Sequence, residues 1–304
     1  MSIQLPNEST RSVRLEMLYI PEGSTATADN AKDRRPLAYG SAFLYELDGK
    51  TYLVTARHNL TGRHWQTTAC LGAYPVGPTH IRFMILAKPP TGGGWPIKPT
   101  DDDPTVGQVQ ILLKAFMKPV LGDDWKPQWR EHPHFGPKMD VAVLEFDLQR
   151  DELQLSAWKS PAAPRGPEQP IFPAPAAGQD VFVVGYPDAL TSGPGFPLWI
   201  RGSIASEPAF GFPVNDITLP LMLVDARTRR GQSGSVVMRH IPEGTLAKNA
   251  DGTTGITNGP VSQIVGVYSG RTSDESDLGY VWRIEAVDAI CRNGVPGTDS
   301  AAPW

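Results

Sequence analysis

Cysteine is almost missing: Cys70 and Cys291 are the only two in 304 residues. At most one bridge can form and nothing requires it, so stability has to come from a packed core. No apolar run approaches the ~20 residues that a membrane-spanning helix needs. Long basic runs are also lacking. Arg34-Arg35 and Arg229-Arg230 are isolated pairs in a chain of net charge −4, too short for the electrostatic stripe that nucleic acid demands. Neither nucleic acid nor a membrane is therefore expected as a partner. The first fourteen residues hold no charged segment followed by an apolar one, so no export signal is visible and a cytoplasmic protein is expected.

What the chain does have in quantity is glycine and proline, thirty of each, beside 40% hydrophobic and 20% charged residues. That is enough apolar material for a core, and the turn residues point to many short strands rather than a helical bundle. Strand-like runs fall at 13–20, at two places within 36–60 joined by the Asp48-Gly49 hairpin turn, and at 81–86 and 109–115. Further runs follow at 180–185, 199–204, 219–224, 236–239, 264–268 and 280–284. Residues 285–292 have helical spacing, with Val287, Ile290 and Cys291 on one face. Prolines at 161, 164, 167, 170, 173 and 175 mark a semi-rigid linker over 160–178. The pattern predicts an all-β protein of two antiparallel barrels packed side by side, closed by a C-terminal helix. The expected organisation is an N-terminal extension (1–35), a first barrel with insertions (36–159), the linker (160–178), a second barrel with the helix (179–292) and a tail (293–304).

Three segments carry chemistry. Arg230-Gly231-Gln232-Ser233-Gly234-Ser235 sits between two apolar strands. A serine between glycines on a tight turn can present its hydroxyl outward while neighbouring N–H groups converge on one point; a plain hairpin turn is the alternative. Thr55-Ala56-Arg57-His58 ends one strand, and Met139-Asp140 opens another. The chain order His58, Asp140, Ser233 is one of three unrelated orders in which Ser/His/Asp sets occur. Position 235 is Ser and no strand–turn–helix follows, so the Gly-x-Ser-x-Gly elbow of lipases does not apply. His132-Pro133-His134 and Asp101-Asp102-Asp103 lack metal-ligand spacing and are read as loop residues. Trp125 and Trp129 are read as packing residues of an insertion. No metal and no organic cofactor is expected.

These segments, with Gly40-Ser41-Ala42-Phe43-Leu44, Ile264-Val265-Gly266-Val267-Tyr268-Ser269 and Leu278-Gly279-Tyr280-Val281, resemble the chymotrypsin-like (trypsin-like) serine peptidases over roughly residues 35–292. The bacterial HtrA and glutamyl-endopeptidase types are the most similar. The resemblance implies two six-stranded Greek-key barrels and an endopeptidase that hydrolyses peptide bonds of protein or peptide substrates. By it, His58, Asp140 and Ser233 are catalytic, and the N–H groups of Gly231 and Ser233 form the oxyanion hole. Ser269, Gly270 and Arg271 would pair with an extended substrate. Arg227, Thr228 and Gly279 would line the primary pocket. Arg227 either binds an acidic side chain there or points to solvent, leaving a small apolar pocket. Gln232 stands where the digestive branch has an aspartate, so activation by a newly cut N-terminus is not expected. The 61–139 segment should insert at the cleft rim, where an activator or partner protein is also open. A catalytically silent fold that binds proteins or peptides is the alternative.

Overall fold

The computed structural model describes all residues except 1, 4–6, 31, 73–74, 90–94, 100–106, 110, 148–150, 164–165, 167–169 and 299–304. Asp101-Asp102-Asp103, parts of the expected linker and the end of the expected tail lie outside the described residues. Twelve strands dominate. β1 (Ser12–Tyr19), β2 (Arg35–Leu47), β3 (Lys50–Thr55), β4 (His80–Leu86), β5 (Leu113–Pro119) and β6 (Ala142–Glu145) form the first half. β7 (Asp180–Gly185), β8 (Leu198–Ile204), β9 (Leu221–Ala226), β10 (Val236–Ile241), β11 (Val261–Arg271) and β12 (Leu278–Arg283) form the second. Two helices matter here, the single turn α1 (His58–Thr61) and the terminal α2 (Ile284–Asn293).

The second set closes into a barrel in the order β7-β8-β9-β12-β11-β10. In the first set antiparallel pairing runs β6-β3-β2-β1-β4-β5, and Lys118 Nζ on β5 donates to the Glu145 carbonyl on β6. All six of these strands contribute to one core, from Val13 and Leu15 through Ala42, Leu53, Ile81 and Phe116 to Ala142. The 1–35 segment is thus more than an extension, because β1 is paired on both sides, to β2 and β4.

Strand periodicity explains the layering. Successive side chains point to opposite faces, so Ala42 and Leu44 of β2 fill the first barrel while Phe43, Tyr45 and Leu47 face outward. The outward set meets Val184, Val236, Met238 and Trp282 from the second barrel in one continuous interface core. Both faces of these strands are buried, which is why their sequences read as near-unbroken apolar runs. Val287, Ile290 and Cys291 of α2 enter the same core, as their spacing predicts. Asp48 and Gly49 both take positive φ, 50° and 76°, the geometry of a two-residue hairpin turn.

Some expectations shift. The strand expected over 109–115 lies at Leu113–Pro119. Trp129 is buried, but Trp125 is exposed at a positive-φ turn position rather than packed. No disulfide joins the exposed Cys70 to the buried Cys291. No helix among the described residues is long and apolar enough to cross a membrane.

Helix α2 is tied to the first barrel by a buried polar cluster. Tyr45 Oη donates to Asp288 Oδ1 (2.5 Å) and Ser160 Oγ to Asp288 Oδ2 (2.7 Å). Burial first, then the Asp288 charge, pushes the Tyr45 phenol well above its ordinary pKa. Removing the carboxylate strands two buried hydroxyls. Asp288→Ala is therefore expected to lower the unfolding free energy by about 2–4 kcal/mol, and Asp288→Asn by less. Urea denaturation followed by tryptophan fluorescence measures this, and an unchanged midpoint for the alanine variant contradicts it.

Candidate active site

Strand register brings His58 and Asp140 together. β3 and β6 run antiparallel with Thr55 opposite Ala142, so the residues just beyond β3 meet those just before β6. α1 starts there and stops after one turn, because Gly62 adopts the left-handed conformation (φ 67°) and its N–H caps the His58 carbonyl. Asp140 is fully buried. Its Oδ1 accepts the His58 backbone N–H (2.8 Å), and its Oδ2 lies 2.6 Å from His58 Nδ1. Ser269 Oγ, from the other barrel, also donates to Oδ2. A bulge between Tyr268 and Gly270 on β11 takes Ser269 out of the ladder, and such a bulge re-aims a side chain. Asp140 is thereby held from both barrels, and the imidazole is fixed with Nδ1 toward the carboxylate. The sequence placed Ser269 on the substrate edge, and its bond to Asp140 was not foreseen.

The serine turn is held by main chain. Gly231 and Gly234 flank Ser233 at φ 88° and 87°, a region closed to most side chains. A Cβ on Gly234 would also press on the Ser41 carbonyl and stand 2.9 Å from the Ala56 nitrogen. Ser41 is the fastener: its N–H donates to the Ser233 carbonyl (2.9 Å) and its Oγ to the Gly231 carbonyl (2.8 Å). Asn59 Nδ2 also donates to the Ser233 carbonyl (2.8 Å), and the Asp188 N–H to that of Arg230 (2.6 Å). Asn59 is thus buried and engaged. With these carbonyls tied back, the N–H groups of Gly231 and Ser233 have no acceptor among the described residues. Gln232 is fully buried and its Oε1 accepts the Arg229 N–H (2.8 Å). Its side-chain nitrogen finds no partner.

His58 and Ser233 open onto one cleft of ≈ 790 Å³ between the barrels. Ser269, Gly270 and Arg271 line it, as do His64, Trp65 and Leu71 from the segment after α1, so part of the expected insertion does form a rim. No hydrogen bond joins Ser233 Oγ to His58 in the described residues, a looseness common before substrate binds. Thr228 and Gly279 lie behind the wall, both against Tyr268. Arg227 is exposed and lines no part of the cleft. The cause is alternation: Asp225 and Arg227 face out while Ala226 and Thr228 face in. Of the two placements open to Arg227, the structure has the one in solvent. His132 Nδ1 accepts the N–H groups of His134 and Phe135, a turn role. No cluster of three metal-binding side chains occurs among the described residues.

A closed six-stranded barrel packed against a second antiparallel sheet, with His58 and Ser233 on one cleft, accords with the class of serine endopeptidases to which the family comparison assigns the chain. The trypsin-like peptidase domain family matches residues 40–246, more than half of the chain, and the protein belongs to it. No curated protein matches the sequence. Among solved structures, the chain is similar to the active form of the Rv3671c protease from M. tuberculosis, with 16% identity, 97% of this chain and 86% of that one covered, and a TM-score of 0.43. It is also similar to the HtrA-type protease AlgW with a decapeptide (15% identity, 93% and 64% covered, TM-score 0.44). A third is the serine endoprotease from Yersinia pestis (14% identity, 96% and 70% covered, TM-score 0.40).

Gly234 gives a direct test of the turn. Gly234→Ala is expected to lower the unfolding free energy by at least about 1–3 kcal/mol. Gly270→Ala, whose Cβ meets nothing within 4 Å, should change it by less than about 0.5 kcal/mol. Equal midpoints for the two variants in urea would refute the account of the turn.

Proposed function

We propose that this chain is an endopeptidase acting on protein or peptide substrates through Ser233, His58 and Asp140. The observation that carries the reading is the bond from buried Asp140 to His58 Nδ1 at 2.6 Å, with the other side of the ring and Ser233 sharing one cleft. Asp140 holds the imidazole with its proton on Nδ1, which leaves Nε2 basic. His58 removes the Ser233 proton as Oγ attacks the scissile carbonyl, and Asp140 stabilises the imidazolium that forms. The negative charge then passes to the carbonyl oxygen. The N–H groups of Gly231 and Ser233 are free to receive it, and donors fixed in advance are worth most in a dry site. His58 next gives its proton to the leaving amine. Water repeats the sequence on the acyl-enzyme. Ser269–Arg271, at the strand edge, would pair with the substrate backbone. Chemistry of this kind calls for no metal or cofactor. The rim formed by Trp65 and Leu71 is where an activating or partner protein would act on the cleft.

A fluorophosphonate probe is expected to label the protein at Ser233, and Ser233→Ala to abolish labelling. Asp140→Asn should slow labelling by about 10⁴-fold, and a chelator should leave it unchanged. Full labelling of the Ser233→Ala variant would overturn the assignment. A wild type that binds unfolded protein but is neither labelled nor cleaves would favour the silent binding module.

A further inference from the structure

Beside Ser233 the cleft is walled by Tyr268 and the bulged edge at Ser269-Gly270. An acyl-side residue with its carbonyl carbon at Ser233 Oγ would set its side chain against this wall, and a tyrosine fills it. Tyr268 lines the cleft yet is only 2% exposed. Its hydroxyl bonds to Thr228 Oγ1 at 2.5 Å, crossing to the nucleophile side. Its ring lies against Gly279 so closely that a Cβ there would stand 2.9 Å from the hydroxyl oxygen and 3.0 Å from Cζ. Tyr268 is also fixed at both ends of its own peptide unit, because its carbonyl accepts the Gly234 N–H (2.7 Å) and its N–H donates to the Ser235 carbonyl (2.8 Å). The ring therefore cannot leave with its backbone without disturbing the turn that carries Ser233.

We infer that Tyr268 is the floor of the primary pocket, and that it limits the residue before the cleaved bond to a small side chain such as Gly, Ala or Ser. The inference rests on the reading of Ser233 as nucleophile given above. A larger side chain has to break the Tyr268–Thr228 bond and expel a packed ring. Burial pushes the Tyr268 hydroxyl up to about 12, so it stays protonated through the working range and offers no charge to a basic residue. Arg227 faces solvent, so it places no cation at the floor; Arg229, Arg230 and Arg271 line the cleft, Arg271 near enough to act on the Tyr268 hydroxyl. Size is the property on which the floor itself selects. Gly279 has a matching part: it is the residue whose missing side chain lets the tyrosine lie flat.

The test is a set of fluorogenic peptides varied only at the residue before the cleaved bond, assayed with the wild type, Tyr268→Val and Tyr268→Phe. For the wild type, kcat/KM with Ala should exceed that with Leu by at least about 10-fold and that with Phe by about 100-fold or more, the range a closed pocket gives per excess group. Tyr268→Val should move the optimum to Leu or Phe, whereas Tyr268→Phe keeps the ring and should keep the small-residue preference. A wild-type optimum at Leu, Phe, Lys, Arg or Glu overturns the inference even if Tyr268→Val does not fold, as does an unmoved optimum in a folded Tyr268→Val. Fluorophosphonate labelling of the wild type separates the two readings. A labelled enzyme with a large-residue optimum refutes the pocket alone, while an enzyme neither labelled nor active removes the nucleophile reading and the pocket with it.

Discussion

The hydrogen bond from the Ser41 N–H to the Ser233 carbonyl (2.9 Å) joins a strand of the first barrel to the turn of the second, and the geometry of the site follows from it. Ser41 sits on β2, next to β3, which ends in His58. The Thr55 hydroxyl donates to the Ser41 carbonyl (2.7 Å), and Asn59 Nδ2 reaches both Thr55 Oγ1 (2.9 Å) and the Ser233 carbonyl. The histidine and serine segments are thus laced through the Thr55 and Asn59 side chains to the Ser41 and Ser233 carbonyls. Such a lattice leaves no room for a Cβ at 185 or 234: at Gly185 it would meet the Ser41 hydroxyl at 2.7 Å. Glycine at these positions is a steric condition of the two barrels meeting, quite apart from any gift for tight turns.

A second brace lies behind His58. Arg57 and Glu131 form a buried ion pair (2.7 Å), and Glu131 also accepts from Trp129 Nε1 (3.0 Å) and the Thr298 N–H (3.0 Å). A buried pair of this kind contributes little net stability, since desolvation offsets attraction, but losing one partner is costly. Here every polar atom of the carboxylate is engaged, and the segment that follows α2 closes over it: Val295 and Pro296 pair with Glu131 and Arg130. The chain end after α2 and the residue before the catalytic-type histidine thus share one polar cluster. Together with Asp288, it makes the terminal helix a strap across the first barrel, although the helix follows directly from the second.

Much of this was legible in the sequence because the signals were local. The hairpin turn at Asp48-Gly49, the apolar face of α2, and the two glycines around Ser233 each announce a backbone geometry without help from distant residues. His58, Asp140 and Ser233 stood out for the same reason, each standing at the lip of a strand. What escaped was set by register and by contacts far apart in the chain. Nothing near Ser269 says that a bulge will turn it toward Asp140, and Ser41 looks like any strand serine until the other barrel is placed. The small hairpin Phe212–Val214 and Ile217–Leu219 was also missed, although Asn215 and Asp216, both at positive φ, are the residues that tolerate such a turn. Arg227 stayed open between pocket and solvent because the two differ there by one step of a two-residue alternation.

The division of the cleft between two barrels also orders events in time. During synthesis the chain emerges from its N-terminal end, so His58 and Asp140 fold into their sheet while residue 233 is still to come. The Ser269 hydroxyl that completes the Asp140 site, and the helix that straps the first barrel, arrive later still. A half-made chain therefore carries His58 and Asp140 without Ser233, and the carbonyls of the serine turn gain their Ser41 and Asn59 partners only when the two halves dock. Such an arrangement makes the cleft a product of the completed tertiary structure, assembled only when both ends of the chain are in place.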